Sequence, residues 1–177
     1  MKFFETELKG SYIIELEKLE DERGFFTRVW DERIFQNKKL NSKLVQISFS
    51  FNNKKGTIRG MHFQEKPFEE TKIVRCTKGK IFDVIIDLRS NSKTYKKWIS
   101  IELNSNDSKM IYIPEGFAHG FQTLEDNSEV FYQISEFYHP EYSKGIKWND
   151  EEFGIQWPLR NSSISEKDLS YIPFNKY

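Results

Sequence analysis

Apolar and polar residues alternate along much of this chain with the two-residue period that is typical of β-strands. The clearest run lies between residues 80 and 89, where Phe82, Val84 and Ile86 fall on one face and Asp83 and Asp87 on the other. The same pattern predicts further strands over residues 11–19, 25–30, 45–51, 72–78, 98–103, 110–113, 117–124 and 129–137. The chain is therefore predicted to be rich in β-structure.

Turn-forming residues separate these strands at short, regular intervals. They occur at residues 21–24, 52–56, 78–79, 90–92, 114–116 and 125–128. One short helix is predicted within residues 30–40, where Asp31 and Glu32 place negative charge near its start. Short strands at this spacing predict one all-β domain over residues 1–177, a sandwich or barrel with irregular ends.

Composition narrows the class of protein further. The 177 residues carry 27 basic and 27 acidic side chains, so no net positive field favours nucleic acid or an anionic membrane. Cys76 is the single cysteine, which excludes an intrachain disulfide, and we expect it to be a buried, inert thiol. The first residues carry charges where a signal peptide needs an apolar run, and no segment is apolar over a membrane-spanning length. A soluble, cytoplasmic protein is predicted.

The segment Gly56–Gln64 carries the first candidate chemistry, because it places Arg59 and His62 in an apolar surrounding. Histidine has the ordinary pKa nearest to neutrality and is therefore a ready proton acceptor, and a nearby cation could hold an anionic substrate. In a regular strand Arg59 and His62 would face opposite sides. Either Gly60 lies in a bulge that redirects one of them, or only one of the two lines a pocket.

Nine segments, in the same order along the chain, resemble one known family. They are residues 21–26, 56–64, 72–76, 79–89, 113–121, 131–132, 148–150, 154–158 and 164–168. Together they are similar to the cupin-type nucleotide-sugar epimerases, the dTDP-4-dehydrorhamnose 3,5-epimerase family. The resemblance covers nearly the whole chain and implies a cupin jelly roll with short peripheral helices.

The resemblance also implies a reaction. The substrate would be a nucleotide-linked 4-keto-6-deoxyhexose, with dTDP-4-dehydro-6-deoxy-D-glucose as the leading candidate, inverted at C3 and C5. His62 matches the general base, Asp168 the carboxylate that orients it, Tyr132 the acid on the opposite face of the sugar, and Lys72 the cation near the C4 oxygen. A ketone at C4 acidifies the neighbouring C–H bonds, so a base, an acid and a positive charge suffice.

The family's further contacts to the substrate match seven positions: Arg23, Phe26, Gln46, Arg59, His119, Tyr138 and Lys167. The resemblance implies a homodimer whose N-terminal strands cross to the partner, so that Arg23 and Phe26 complete the neighbouring site. No cofactor is predicted. A cupin metal site uses a His-x-His pair, and because Gly60 and Gln64 flank His62, no metal is predicted either.

Three positions depart from the family pattern: Arg28 replaces a frequent glutamate, Ser48 a usual asparagine and Ser143 a common glutamate. They leave open a C3-only or C5-only epimerase or a ketoisomerase. The alternative from another class is a cupin that binds a sugar nucleotide without catalysis. The matched residues also have purely structural interpretations. His119 could be a buried, hydrogen-bonded imidazole, and Asp168 a helix cap.

The remaining matched positions are equally open to a structural interpretation. Tyr132 could be a core tyrosine and Lys72 a solvated strand end. Asp83 and Asp87, which recur on one strand face, are interpreted as structural or interface residues.

Overall fold

The computed structural model describes residues 1–176, which form two antiparallel sheets, a small hairpin and short helices. The strands are β1 (Lys2–Glu5), β2 (Tyr12–Glu15), β3 (Leu19–Asp21), β4 (Gly24–Phe26), β5 (Gln46–Asn52), β6 (Ile58–Gln64), β7 (Lys72–Lys78), β8 (Lys80–Asp87), β9 (Trp98–Asn104), β10 (Lys109–Ile113), β11 (Phe117–Thr123), β12 (Ser128–Ile134) and β13 (Ser143–Gly145). The helices are α1 (Glu32–Asn37), α2 (Glu166–Leu169) and a 3₁₀ turn over Phe174–Lys176. The all-β prediction is confirmed.

The two large sheets pack face to face. One has the strand order β1-β2-β10-β7-β12-β5, and the other has the order β13-β6-β11-β8-β9. Non-sequential neighbours such as β2 and β10 pair antiparallel, so strands that are distant in the chain share a sheet. Strands β3 and β4 form a separate two-stranded hairpin. None of the helices within residues 1–176 has the length and apolar character required to cross a bilayer.

Strand β8 shows how the alternating pattern builds the interior. Ile81 and Ile85 are fully buried and belong to the cluster between the two sheets. Val84 and Ile86 point the other way and pack with Phe153 and neighbouring residues of the C-terminal segment. The predicted faces are therefore confirmed, and both are buried because the C-terminal segment covers the outside of the second sheet.

Helix α1 begins where the sequence places its negative charge. The Asp31 carboxylate accepts hydrogen bonds from the backbone N–H groups of Arg33 and Ile34, which caps the helix. Phe35 lies on the inner side of α1 and is completely buried against the first sheet. The helix is shorter than the predicted window but lies inside it.

The structure differs from the strand predictions at three places near the N-terminus. The strand predicted over residues 11–19 covers only Tyr12–Glu15, and Leu19 belongs to β3. The strand predicted over residues 25–30 ends at Phe26, because its partner β3 begins at Leu19, directly opposite Phe26. Strand β1 was not predicted. Its four residues have no alternating pattern of their own, and they become a strand by pairing with β2.

Candidate active site

A pocket of about 520 Å³ opens on the side of the sandwich. Side chains from β5, β6, β7, β11, β12 and α2 line it, so both large sheets and the C-terminal segment contribute to its walls. The volume lies in the range of small-molecule sites, which are usually concave and partly apolar. Nine of the eleven matched residues line this one pocket: Gln46, Arg59, His62, Lys72, His119, Tyr132, Tyr138, Lys167 and Asp168.

A bulge in β6 brings Arg59 and His62 to the same pocket. His62 is opposite His119, whereas Arg59 is opposite Phe121, so three steps along β6 match two steps along β11. Gly60 lies between them with a φ of +116°, and a Cβ atom there would come within 2.6 Å of Gly120 Cα. Of the two alternatives that alternation left open, the bulge is the correct one.

His62 and Asp168 form a hydrogen-bonded pair, with 2.7 Å between His62 Nε2 and Asp168 Oδ1. The second carboxylate oxygen accepts the backbone N–H of Gly60 at 3.2 Å. Ser165, which caps α2, accepts a hydrogen bond from the backbone N–H of Asp168. Asp168 therefore lies within the first turn of α2, and its carboxylate is directed at His62 instead of capping the helix.

The environment of Asp168 keeps its carboxyl group ionised. Burial acts to raise the pKa of Asp168, but the hydrogen bonds from His62 and Gly60 outweigh it and hold that pKa below its ordinary value. The His62 side chain is 39% exposed in the pocket, whereas that of Asp168 is only 5% exposed. Since Nε2 of His62 is engaged with the carboxylate, Nδ1 is the ring nitrogen left for a substrate proton.

A second histidine–carboxylate pair lies beside Tyr132. His119 Nε2 is 2.8 Å from Asp83 Oδ2, and the His119 and Tyr132 rings meet edge to face with centroids 6.0 Å apart. Desolvation raises the pKa of Tyr132 well above its ordinary value, and the charge of Asp83 adds to this effect. Burial likewise raises the pKa of the Asp83 carboxyl group, although His119 opposes the shift.

The sequence pattern predicts a structural or interface residue at Asp83, and the structure places it behind His119. The alternating pattern does indicate that Asp83 is buried, because it lies on the same face of β8 as the buried Ile81 and Ile85.

Lys72 is nearly buried at the start of β7 and is not a solvated strand end. Its ammonium nitrogen is 2.8 Å from Glu70 Oε1, and both side chains line the pocket with only 10% and 12% exposure. Glu70 was not among the predicted site residues. The sequence does contain a signal for Glu70. Residues two positions apart lie on the same face of extended chain, so a pocket that contains Lys72 is expected to contain Glu70 as well.

The outer part of the pocket carries polar and aromatic groups. The Gln46 side-chain oxygen accepts the backbone N–H of Tyr138 at 2.8 Å. The Lys167 ammonium lies 6.0 Å from the centre of the Tyr138 ring. Arg59 donates from Nε to the Asn52 side-chain oxygen at 2.7 Å. These contacts fix two positive groups at the mouth of the pocket, where an anionic substrate could be held.

Two matched residues lie outside this pocket. Arg23 and Phe26 belong to the β3–β4 hairpin, where the Arg23 side chain is 84% exposed and Phe26 is 63% exposed. Arg23 forms an ion pair with Asp21 of the same hairpin. Within one chain these residues therefore do not join the other nine, and their predicted contact with substrate stays a prediction.

The three departures from the family pattern fall in different places. Arg28 forms an ion pair with Asp31 at 3.4 Å, outside the pocket. Ser48 lines the pocket directly opposite Tyr132 across the β5–β12 pair, and Ser143 lines it opposite Gln64. The two serines are therefore placed where they can affect which substrate fits.

Comparison with known proteins decides the family. The family model described as dTDP-4-dehydrorhamnose 3,5-epimerase matches residues 5–176. The chain belongs to the dTDP-4-dehydrorhamnose 3,5-epimerase family. The chain is 45% identical to the dTDP-4-dehydrorhamnose 3,5-epimerase of Methanothermobacter thermautotrophicus, over an alignment covering 99% of this chain and 95% of that protein. The resemblance stated from the sequence is confirmed.

Solved structures of dTDP-4-dehydrorhamnose 3,5-epimerases give the same fold. The enzyme from Bacillus anthracis str. Ames, with TDP and PPi bound, superposes with a TM-score of 0.94 at 35% identity, covering 98% of this chain and 99% of that one. The dTDP-6-deoxy-D-glucose-3,5-epimerase from Legionella pneumophila Philadelphia 1, in complex with dTDP-4-keto-L-rhamnose, gives a TM-score of 0.92 at 32% identity, covering 98% of this chain and 93% of that one. The predicted cupin-type jelly roll is confirmed.

Proposed function

We propose that this protein inverts C3 and C5 of dTDP-4-dehydro-6-deoxy-D-glucose, giving dTDP-4-dehydro-L-rhamnose. The observation that carries the proposal is that the His62–Asp168 pair and the Tyr132 phenol line one pocket, together with the Lys72 ammonium. A protein that only binds a sugar nucleotide has no need of a base, an acid and a buried cation in the same cavity.

Proton abstraction is assigned to His62. Nδ1 takes a proton from C3 or C5. The electron pair of the broken C–H bond forms a double bond to C4, and the negative charge moves to the C4 oxygen as an enolate. The imidazolium produced is stabilised by Asp168, whose hydrogen bond to Nε2 also holds the ring in one orientation. Because the pKa of Asp168 is held below its ordinary value, this carboxylate is negatively charged throughout the neutral range.

Proton return is assigned to Tyr132. Desolvation keeps its hydroxyl protonated at neutral pH, which is the state that a general acid needs. The phenol donates its proton to the carbon from the face opposite His62, and the configuration inverts. Exchange with solvent then restores both groups before the second carbon reacts.

Stabilisation of the transient negative charge on the C4 oxygen is assigned to the ammonium group of Lys72. A preorganised cation in a partly water-free cavity stabilises an enolate far more than it would in bulk water. Glu70 holds this ammonium by an ion pair of 2.8 Å, so part of its charge is already balanced before substrate binds. The nucleotide is assigned to the mouth of the pocket, with Arg59 and Lys167 as the cations for its diphosphate.

A homodimer is part of the proposal. Leu19, Phe25 and Phe26 leave most of their apolar surface exposed on the β3–β4 hairpin, and Phe49 and Phe51 are similarly exposed on the edge strand β5. Exposed apolar surface of this extent favours burial against another chain, here a second copy. Arg23, on the same hairpin, would then reach the partner's pocket.

The reaction is tested by incubating the protein with dTDP-4-dehydro-6-deoxy-D-glucose in heavy water. We expect deuterium at both C3 and C5, detected by NMR, and no incorporation with H62A. Label at one carbon alone would make the protein a mono-epimerase, and label in full with H62A would remove His62 from the mechanism. Other nucleotide forms of the sugar, run in parallel, test the assignment of the base.

The dimer is tested by mixing two impaired variants. R23A retains His62, and H62A retains Arg23, so a mixed dimer contains one complete site if Arg23 crosses to the partner. We expect H62A alone to be inactive, R23A alone to be weakly active, and the refolded mixture to regain activity. A mixture no more active than its components, with light scattering showing dimers, would contradict the crossing.

A further inference from the structure

The candidate base has a second contact, with an aromatic ring from the end of the chain. The rings of His62 and Tyr171 meet edge to face, with centroids 5.9 Å apart and an angle of 73° between the planes. Tyr171 follows Asp168 by three residues, directly after the cap of α2 at Ser170. One short segment therefore delivers both the carboxylate and the ring that contact His62.

A single hydrogen bond does not fix an imidazole. The bond to Asp168 holds Nε2, but a ring held at one atom can still pivot about that atom, and the His62 side chain is 39% exposed in an open pocket. A base must lie within about 0.5 Å of its productive position. An edge-to-face partner restricts the tilt of the ring, which the hydrogen bond leaves free.

The space for Tyr171 is provided by a glycine. Gly145 lies opposite His62 in the β13–β6 pair, and a Cβ atom at this position would come within 2.2 Å of Tyr171 Cε2. The backbone of Gly145 is outside the left-handed region, so alanine is opposed here by the Tyr171 ring and not by backbone strain. The glycine thus allows the ring to lie against β13 and reach His62.

We propose that Tyr171 is a positioning residue for His62, and that Gly145 provides the space that lets it act. This inference rests on the role of His62 in the proposed function and adds a residue to it. Tyr171 does not line the pocket, so it would act through His62 and not through contact with the substrate. The contact is made by the aromatic ring, so phenylalanine at position 171 should preserve it.

The kinetic test is a double-mutant cycle. We expect Y171A to lower kcat by about 2- to 10-fold with little change in KM, the range set by the energy of an aromatic pair. Y171F should stay close to the wild type. G145A should resemble Y171A, and the double variant G145A/Y171A should be no worse than Y171A alone, because the glycine matters only when the ring is present. The proposal would be overturned if the loss of kcat in G145A/Y171A equalled the product of the two single losses. Equal losses of kcat in Y171A and Y171F would also overturn it.

A spectroscopic test does not depend on the reaction. The chain has three histidines, so ring signals from ¹⁵N-labelled histidine can be assigned with H62A. We expect Y171A to shift or broaden the His62 signals while those of His119 and His139 stay unchanged, and Y171F to change none of them. Unchanged His62 signals in folded Y171A would overturn the positioning role. Full activity in H62A would instead refute the proposed function, while these signals would still decide whether Tyr171 orders the ring.

Discussion

Replacing Asp168 with asparagine separates charge from shape at the proposed base. The two side chains have nearly the same size, and either can accept the backbone N–H of Gly60, which Asp168 Oδ2 now does at 3.2 Å. What the variant removes is the negative charge 2.7 Å from His62 Nε2. That charge matters when His62 has taken the substrate proton and become an imidazolium, so the loss should fall on the transition state.

The magnitude follows from the geometry. Two unit charges about 4 Å apart interact by about 4 kcal/mol at an effective dielectric constant of 20, and this is an upper bound because water reaches the His62 ring. The lower bound is the excess of a charge-assisted hydrogen bond over a neutral one, about 1 kcal/mol. Each 1.36 kcal/mol changes the rate tenfold, so kcat of D168N should fall by about 5- to 1,000-fold.

The assay is the rate of deuterium incorporation from heavy water at C3 and C5, with kcat and KM measured separately. KM should change little, since the lost interaction develops during proton transfer. The pKa of Asp168 lies below its ordinary value, so the carboxylate is charged above that pKa and loses its charge as the pH falls through it. The deficit of D168N should therefore be present at neutral pH and narrow as the pH falls through the pKa of Asp168. A D168N rate within twofold of the wild type at neutral pH would refute the reasoning.

Three further substitutions probe separate parts of the structure. Y132F should slow inversion by about 100-fold or more while exchange at the first carbon continues, and equal loss of both would contradict its role as donor. K72M should lower kcat by about 100-fold or more, measured in the same assay, because the enolate loses its cation. Donors such as Arg89 outweigh the effect of burial and lower the pKa of Asp87 to about 2, and this shift corresponds to roughly 2 to 3 kcal/mol. D87N should lose about that much unfolding free energy in urea at pH 7, and the difference should vanish as the pH falls from about 4 towards 2, while kcat is unchanged.

The parts of the fold that the sequence predicted are those with local causes. The period of β8 separates Ile81 and Ile85 from Val84 and Ile86 without knowledge of any partner strand. The start of helix α1 is predicted from Asp31, whose carboxylate accepts hydrogen bonds from the backbone N–H groups two and three residues further along the chain. Strand β1 has no such signal, because it is made a strand by its pairing with β2 and by nothing in its own four residues.

The site depends on contacts between distant parts of the chain. The bulge at Gly60 was one of two options from alternation, and the choice depends on Gly120, whose Cα approaches closely from β11. His62 and Asp168 are 106 residues apart, and no local pattern links them. Their pairing was expected from the resemblance to the family, whose ordered motifs supply long-range information that periodicity does not contain.

Asp83 and Asp87 show why residue type and spacing do not fix chemistry. Both lie on the same face of β8, four residues apart, and both are completely buried. Asp87 receives hydrogen bonds from Arg89, Ser92 and Thr94, and its pKa falls to about 2. Asp83 has His119 as its partner at Oδ2, while Oδ1 lacks a hydrogen-bond partner within residues 1–176, and burial raises its pKa. Asp83 lies deeper than Asp87 and has fewer donors, and both differences raise its pKa relative to that of Asp87.

The two carboxylates therefore have different consequences. Asp87 holds a surface turn together through Ser92 and Thr94. Asp83 lies behind His119, and its negative charge adds to the effect of desolvation in raising the pKa of Tyr132. A negative charge at Asp83 therefore opposes loss of the Tyr132 proton between turnovers and favours its recapture after donation. The buried carboxylate that the sequence presented as a structural residue thus bears on the protonation state that the proposed acid requires.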